Sequence, residues 1–539
     1  MWTLYKVHIF MFYNLSRKDY WRVVLRYNVL IIGGGSAGAI LATRLSEDPE
    51  RSILLLEAGP DYRTFENLPD SVREGNNPWR SSYGPDAHSW GYLATAREGR
   101  EPFLVPRGKV MGGSSAINGQ VFFRGIPQDY DGWAELGNDE WAFTKILPFF
   151  NKSENDLDFK GGDFHGVEGP IPVRRTKKEE LVPTARAFYE ACISEGYPET
   201  LDHNHPESTG IGARPLNNVN GVRMSTDVTY LNMARHRMNL TIRGDVMVLR
   251  ILFEGNKAVA VQAKSGEDFF VIEADEIILS AGAINSPQLL MLSGIGPKEH
   301  LSDLSIDVIK DLPGVGENLR DHPMVFMLYQ SDADPDDESV PANVVGMRYT
   351  IPGSKYPNDM QMGHIRMSSE HRDAGLPIGD EKGYMGFSVA LQKAETAGWL
   401  KLSSKNPFDQ PLLNYNYLSD SWDLERMKSA VRLCVKITEN REFDKAPVKR
   451  ILPTNEDLSS DEKLGAWILS NVITQHHSSG TCKMGPSSDQ MAVVNQYGRV
   501  HGIKGLCVVD ASIMPDVVRA NTNATVVMIA ERVAEWLKN

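Results

Sequence analysis

A glycine-rich turn between a short apolar strand and a helix constrains the fold of this chain most strongly. Residues 27–32 read YNVLII, a run rich in β-branched residues that is typical of a buried parallel strand. The turn GGGSAG follows at 33–38, and a helical pattern begins there. A second apolar run, SILLL at 52–56, ends at Glu57. Strand, turn, helix and strand together predict one β-α-β unit.

The spacing of the glycines in this turn, G-x-G-x-x-G, predicts a dinucleotide site. The first glycine permits the tight turn, the second lets the backbone approach a pyrophosphate, and the third lets helix and strand pack closely. The helix N-terminus then offers free N–H groups to the phosphates. Glu57 lies at the spacing expected of an acid that binds a ribose hydroxyl. The motif alone does not separate FAD from NAD, and the alternative is a glycine turn without a ligand. The expected contacts here are Gly33, Gly35, Ser36, Ala37, Gly38, Glu57 and Ala58.

Length and charge limit the class of protein. A chain of 539 residues exceeds one ordinary core, so we expect two or more lobes around a cleft. The net charge of −13 argues against nucleic acid and anionic membranes as partners, because both attract clustered Lys and Arg. No segment is apolar over the length that a membrane span requires, so we expect none.

The four cysteines are scattered and none forms a CxxC pair, which argues against a disulfide framework and against a structural metal site. We therefore expect no metal, and reduced thiols in a cytoplasmic protein. Residues 1–26 read as an extension: their apolar start, 1–13, is interrupted by Lys6 and His8 and lacks the features of a signal peptide. We interpret it as a surface extension or as a start codon placed too early.

The order of the other predicted elements indicates a mixed α/β fold with a discontinuous cofactor domain. A strand pair is expected over 240–253 and 258–263, with its turn at Gly255-Asn256. Residues 330–400 are polar and β-like, which suits a substrate lobe, and an amphipathic helix is expected over 526–537. We predict a cofactor domain over 27–155, 205–320 and 485–539, with a substrate domain inserted over 156–204 and 321–484.

Several further motifs follow along the chain: GKVMGGSSAING at 108–119, GAINSP at 282–287 with SGIGP at 293–297, PGVGENL at 313–319 and HSSGTCKMG at 477–485. These motifs resemble those of the glucose–methanol–choline (GMC) oxidoreductases, and they occur in family order. Asn521, in the run NTNA, lies just before the last helix, where the family keeps its second catalytic side chain.

The resemblance implies FAD rather than NAD, in a Rossmann-like domain, with the substrate domain built on an antiparallel sheet. In such enzymes the isoalloxazine packs beside the segment that matches 112–118. Some relatives bind the flavin covalently through a histidine immediately before the residue equivalent to Asn118. Ile117 stands at that position, so we predict non-covalent FAD. The further contacts implied by the resemblance are Arg107, Gly112, Gly113, Ser114, Asn118, Val248, Asp510, Ala511, Asn521 and Asn523.

The resemblance also implies oxidation of an alcohol to an aldehyde or ketone, with hydride transfer to the flavin N5. His477 matches the family's base, and a neutral imidazole can accept a proton at pH 7. Asn521 matches its partner, whose amide can donate to a developing alkoxide. Oxygen or a quinone-like molecule would accept the electrons. The alternatives are a hydroxynitrile lyase-like enzyme that retains FAD without redox use, and a binding protein that has lost catalysis.

The substrate pocket is less constrained by the sequence, which gives neither the alcohol nor the oligomeric state. Choline-type substrates are one alternative, although the sequence shows no evident aromatic and acidic cage for a quaternary ammonium group. His476 stands where several aryl-alcohol-oxidising relatives carry an aromatic residue, and either lines the pocket or satisfies a backbone hydrogen bond. His322 is interpreted as structural. The other pocket candidates, which would equally suit a core, are Trp90, Phe122, Met362, His364 and Met367.

Overall fold

The computed structural model describes residues 26–83, 88–334, 340–367, 370–373, 376–379 and 383–538. The predicted N-terminal extension lies outside these residues, apart from Arg26, which begins the first strand. The four cysteines are buried as free thiols. Within the described ranges, no helix combines the length and the apolarity needed to cross a membrane.

The parallel part of the first sheet is built around the strand Arg26–Ile32. This strand lies between Ile53–Leu56 and Asp268–Leu279 and is parallel to both. Leu240–Arg243 adds a parallel strand beside Ile53–Leu56, and Leu506–Val508 adds another beside Asp268–Leu279. The central strands are buried on both faces, which explains their continuous apolar sequences. The carboxyl ends of these strands share one edge, where ligands bind in sheets of this kind.

An antiparallel ribbon completes the first sheet. Met247–Glu254 pairs with Lys257–Ser265, and Lys257–Ser265 pairs with Asp268–Leu279. The prediction of a single strand over 240–253 is wrong in one respect: the chain turns after Arg243, with Asp245 at a φ of 55°. The predicted turn at Gly255-Asn256 is confirmed.

The second sheet has seven antiparallel strands, which confirms the expected antiparallel substrate sheet. Gly210–Ala213 belongs to it, although the domain prediction assigns that range to the cofactor domain. The strands follow in the order Gly210–Ala213, Val345–Tyr349, Met360–Arg366, Tyr384–Leu391 and Pro323–Gln330, with Lys449–Leu452 and Ile473–Thr474 both paired to the last.

The helices cover the first sheet and link the two sheets. The last helix, Thr522–Lys538, packs against Ser36–Leu45, and an ion pair of 2.7 Å joins Arg44 to the fully buried Glu531. The other α-helices are Asp70–Arg73, Pro78–Tyr83, Pro127–Glu135, Phe143–Ser153, Pro183–Ser194, Asn232–Ala234, Gly282–Leu292, Lys298–Asp303, Glu370–Asp373, Ser421–Thr438 and Asp461–Asn471. Short strand pairs are Tyr92–Ala94 with Phe103–Val105, Glu154–Asp156 with Ile171–Val173, Asn218–Val219 with Val222–Arg223, Ile295–Gly296 with Lys310–Asp311, and Trp399–Lys401 with Leu412–Asn414.

Candidate active site

Most of the predicted site residues line one cavity, and residues of both sheets contribute to its wall. The first sheet contributes the carboxyl ends of its parallel strands and the turns that follow them, whereas the second sheet contributes side chains from its strands. The predicted cofactor residues in the cavity wall are Gly33, Gly35, Ser36, Ala37, Glu57, Ala58, Arg107, Gly113, Ser114, Asn118, Val248, Asp510, Ala511, Asn521 and Asn523.

Gly38 and Gly112 are absent from this wall, and their positions show why glycine is needed behind it. A Cβ at Gly38 would lie 1.9 Å from the carbonyl oxygen of Gly33, so helix and turn are in backbone contact. Gly112 has a φ of 90° and donates its N–H to the Gly34 carbonyl oxygen. Backbone from 112–113 therefore lies directly against the glycine turn, as the dinucleotide motif requires.

Helix N-termini and two buried acids form the cofactor side of the cavity. Ser36–Leu45 and Thr522–Lys538 both begin there, and Ser36 Oγ donates to Asn523 Oδ1 at 3.0 Å. Their free N–H groups favour a pyrophosphate. Glu57 accepts the N–H groups of Gly34 and Gly59, at 2.8 and 2.9 Å, and burial raises its pKa to about 7.

Asp510 is the second acid, and it fixes a loop at the same edge of the sheet. Its carboxylate accepts the N–H of Gly282 at 2.9 Å and the hydroxyl of Ser286 at 2.6 Å. Burial raises the pKa of this carboxyl group. Backbone donors, a buried acid after the second strand and glycines that admit close approach form a donor set that fits a dinucleotide.

His477 and Asn521 are in direct contact at the cavity. Asn521 Nδ2 lies 3.1 Å from His477 Nε2, and His477 Nδ1 lies 2.8 Å from Nδ1 of His322. Asp321 holds the pair, since its Oδ1 accepts the main-chain N–H of His477 at 2.9 Å and of His322 at 2.7 Å. His322, interpreted from the sequence as structural, is thus a direct neighbour of the predicted base.

The hydrogen bonds of this cluster determine which nitrogen of His477 is free to accept a proton. An amide nitrogen only donates, so the contact with Asn521 assigns Nε2 of His477 as the unprotonated acceptor. Its proton is then on Nδ1, which donates to His322 Nδ1. The basic nitrogen is therefore the one that lies beside Asn521.

The charge state of His477 is set mainly by burial. Burial lowers its pKa well below 6.5, and the neighbouring His322, His476 and Arg107 lower it further. Arg107 is held close by, donating from Nη2 to Ser478 Oγ at 2.6 Å. The imidazole is therefore neutral at pH 7, which is the form that can accept a proton.

Aromatic side chains form the part of the cavity wall near His476. Trp79 stacks on Tyr83 with ring centroids 5.1 Å apart and meets Phe326 edge-on at 5.8 Å. Tyr83 OH lies 3.4 Å from His476 Nε2, and His476 lines the cavity. Trp90 also lines it, beside the cofactor residues.

The predictions of Met362 and His364 as pocket residues are wrong, because the opposite face of their strand meets the cavity. Successive side chains of a strand point to opposite faces, and here Gln361 and Ile365 line the cavity. Met362 is buried in the core, and His364 Nε2 lies 2.7 Å from Thr184 Oγ1.

Phe122 and Met367 are also absent from the cavity wall: Phe122 is buried in the core, and Met367 packs behind Phe326 and Ile365. Sequence reasoning missed Trp79, Tyr83, Phe326, Gln361 and Arg214. Trp79 and Tyr83 are four residues apart and therefore share one face of a helix, which is the sequence signal that could have identified them as neighbours.

Comparisons with known proteins agree with this geometry. Two family models, both described as GMC oxidoreductase, match residues 27–324 and 394–530. The chain is 35% identical over 513 residues to an uncharacterized GMC-type oxidoreductase of Rhodococcus erythropolis, covering 94% of this chain and 97% of that protein. It is 36% identical over 551 residues to the mitochondrial choline dehydrogenase of Homo sapiens, covering 95% and 90%.

Solved structures of two oxidases have a similar fold. Pyridoxine 4-oxidase from Mesorbium loti superposes with a TM-score of 0.85 at 31% identity, covering 95% of this chain and 99% of that one. A formate oxidase variant from Aspergillus oryzae shares the fold, with a TM-score of 0.86 at 24% identity over 96% of this chain and 98% of that one. The chain therefore belongs to the GMC oxidoreductase family, whose cofactor is FAD.

Proposed function

We propose that this protein oxidises an alcohol to an aldehyde or ketone, with His477 as the proton acceptor. The observation that carries the proposal is the contact of 3.1 Å between His477 Nε2 and Asn521 Nδ2 at the cavity. It places a neutral base beside an amide donor, which is what a hydroxyl group needs when it loses its proton. The relatives are named for choline and pyridoxine, and both molecules carry hydroxyl groups.

The residues of the cavity wall would bind different parts of FAD. The N-termini of Ser36–Leu45 and Thr522–Lys538 would hold the pyrophosphate, and Glu57 the adenosine ribose. When bound, FAD supplies the acceptor for the hydride at its N5. Ile117 carries no nucleophilic atom, which supports a dissociable cofactor.

The substrate hydroxyl would take the place of the present contact between His477 and Asn521. It donates to Nε2 of His477 and accepts from Nδ2 of Asn521, while Asp321 keeps the histidine in position through its main-chain N–H. The proton passes to Nε2 as the C–H bond breaks and the C=O bond forms. Asn521 stabilises the negative charge that develops on oxygen.

The acidities of the two groups indicate that these events occur together. An alcohol resembles bulk water, with a pKa of about 15.7, and an ordinary imidazole has about 6.5. The difference corresponds to about 12 kcal/mol at 1.36 kcal/mol per unit. Burial lowers the pKa of His477 further and widens the difference. A free alkoxide is therefore costly: either the site stabilises it strongly, or proton loss accompanies C–H cleavage, and we propose the second.

An anaerobic screen of the FAD-loaded protein tests the proposal. Mixing with primary, secondary and aromatic alcohols should bleach the flavin absorption band with at least one class. Repeating the reaction in air while following hydrogen peroxide, and then with a quinone, identifies the electron acceptor. Release of cyanide from cyanohydrins without bleaching by any alcohol would contradict the proposal and favour a lyase.

A further inference from the structure

Arg214 is a buried cation in the wall of the cavity, and no residue that the structure describes pairs with it. Its side chain is 3% exposed and lines the cavity that also contains His477. Among the described residues, no hydrogen bond or ion pair reaches its guanidinium, and Nε and Nη2 are closed off from solvent. Burial lowers the pKa of Arg214 to about 9, so the group remains charged at pH 7. Buried charges are normally paired, so an unpaired one needs an explanation.

The second sheet is shaped to admit this side chain. A Cβ at Gly363 would lie 1.6 Å from Arg214 Nη2, and a Cβ at Gly346 would lie 2.4 Å from Nε. The two glycines are direct partners on neighbouring strands, and Ser388 continues the row on the next strand. Any larger residue at Gly363 would displace the guanidinium. The glycines thus form a slot that fixes it against the sheet.

Two glutamine side chains lie between the slot and the chain segment of the predicted base. Gln361 is two residues from Gly363 on the same strand and on the same face, or about 7 Å along it. Gln361 Oε1 accepts a hydrogen bond of 2.7 Å from Nε2 of Gln475, which precedes His477 by two residues. No described residue bonds to Gln361 Nε2, which is a further N–H donor in this wall. Arg214 and His477 line the same cavity, so a ligand long enough to span it would contact both groups.

The other charges around the cavity leave Arg214 without a counter-ion. The carboxylates in the described wall, Glu57 and Asp510, are on the cofactor side and are bonded to backbone N–H groups. Arg107, the other cation in the wall, already donates to Ser478 Oγ and to the Pro106 carbonyl oxygen. The substrate side of the described wall thus carries a net positive charge.

We propose that Arg214 binds a carboxylate on the substrate, so that the substrate class is a hydroxy acid. The hydroxyl group lies at His477 and the carboxylate at Arg214, with Gln361 as a second donor. Because Nε and Nη2 lie in the glycine slot, Nη1 is the guanidinium nitrogen that would donate to the carboxylate, and such a charge-assisted hydrogen bond is stronger than a neutral one. A quaternary ammonium substrate is disfavoured, because it would bring a second positive charge into a buried site. This inference rests on the proposed alcohol oxidation.

Paired substrates test the inference directly. The FAD-loaded protein is assayed with ω-hydroxy acids of two to six carbons and with the corresponding hydroxy amides, which differ only in charge. The carboxylate should be preferred in kcat/KM by about 10- to 100-fold for the best chain length, equivalent to about 1.4–2.8 kcal/mol. Arg214→Met should remove that preference, which is measured as the ratio of kcat/KM for the acid to kcat/KM for the amide. Because both substrates are compared within one variant, a poorly folded fraction cancels in the ratio.

Two further variants test whether the preference for the carboxylate depends on the charge and shape of the side chain at position 214. Arg214→Lys should retain part of the preference, since it keeps the charge without the planar fork. Arg186→Met, at an exposed arginine outside the cavity, is the matched control and should leave the ratio unchanged. Equal kcat/KM for acid and amide in the unaltered protein, or an undiminished preference in Arg214→Met, would overturn the inference.

A binding measurement separates this inference from the proposed function. Aliphatic carboxylates from acetate to hexanoate are titrated into the FAD-loaded protein, with the flavin spectrum as the signal. Their Kd should rise about 10- to 100-fold in Arg214→Met and stay constant in Arg186→Met. That outcome supports carboxylate binding even if no alcohol bleaches the flavin. Bleaching by alcohols with no effect of Arg214 on either measurement would retain the proposed function and overturn the carboxylate site.

Discussion

Two of the regions that bury an arginine side chain, the cluster around His165 and the wall of the cavity, treat it in opposite ways. In the cluster around His165, Arg175 donates to Asp156 at 2.9 Å and to Asp202 at 2.8 Å. In the cavity wall, Arg214 has no carboxylate partner among the described residues. The first arginine is neutralised by the chain itself, whereas the second is left for a ligand. The comparison indicates that a paired buried charge serves the fold and an unpaired one marks a binding site.

The His165 cluster is balanced in charge. His165 contacts Glu154 through Nδ1 at 2.9 Å and Asp202 through Nε2 at 2.8 Å. Burial opposes its protonation, but hydrogen bonds to Asp156, Asp202 and Glu154 raise the pKa of His165 to about 10. With Arg124, which pairs with Glu154, three cations face the three carboxylates inside the cluster, and the exposed Asp158 lies 3.6 Å from Arg175 at its edge. The ligand atoms of Glu154, Asp156 and His165 lie within 4.8 Å of one another, and the arginines occupy the positions around them.

The largest expected effect is the loss of the Arg175 charge. Arg175→Met leaves Asp156 and Asp202 buried without their main counter-ion, so the free energy of unfolding should fall by about 3–5 kcal/mol. Urea denaturation followed by fluorescence measures this change. Arg186→Met, the exposed control, should stay within about 0.5 kcal/mol. A loss of less than about 1 kcal/mol in Arg175→Met would mean that the cluster does not serve the fold.

Asn521→Leu tests the cavity side of the comparison. The variant removes the amide donor beside His477 Nε2, so flavin reduction at saturating alcohol should slow by about 10²–10³-fold. Stability should change little, in contrast to Arg175→Met, and the rate is expressed per bound FAD because Asn521 also lines the cofactor side of the cavity. Rapid mixing under anaerobic conditions gives the rate, with Asn455→Leu at an exposed site as control. An unchanged rate would remove Asn521 from the proposed mechanism.

The stability contributed by His165 should depend on pH. Its pKa is about 10 when folded and about 6.5 when unfolded, so the folded state binds the extra proton between these values. The contribution is complete below about pH 6.5 and is lost as the pH rises through 10, at no more than about 1.4 kcal/mol per pH unit. Thermal melting from pH 6 to pH 10 should show this decline, and His165→Gln should flatten it. Identical slopes in both proteins would argue against a charged His165.

The smallest expected effect is that of Arg214→Met on stability. Removing an unpaired buried charge relieves a desolvation cost, so the free energy of unfolding should be unchanged or higher, by about 1 kcal/mol. The same urea measurement applies, and Arg175→Met is the contrasting variant. A fall of several kcal/mol would show that Arg214 is needed for the fold and that the two regions do not differ.

The cofactor side of the cavity followed from the sequence because contiguous residues form it. The turn at 33–38 places backbone N–H groups, a helix start and close packing within six residues, and each has a local signature. The helix predicted over 526–537 begins at Thr522, four residues earlier, which puts Asn521 directly before the helix start at the cavity. That boundary was not visible in the apolar pattern, because polar residues precede the first buried turn.

The substrate side could not be predicted in the same way, because strands from distant parts of the chain form it. Met362 and His364 were assigned to the cavity, but a shift of one residue in a strand reverses every side chain, and Gln361 faces inward instead. Arg214 had no local signal at all. Its role depends on Gly346 and Gly363, more than a hundred residues away in the chain.

The central claim is that His477 accepts the proton of a substrate hydroxyl. The most direct measurement is the rate of flavin reduction by a saturating alcohol, under anaerobic conditions, in His477→Ala, with His205→Ala as an exposed control. We predict a loss of about 10²–10⁴-fold in His477→Ala with normal FAD content. Reduction at the normal rate in that variant would contradict the account.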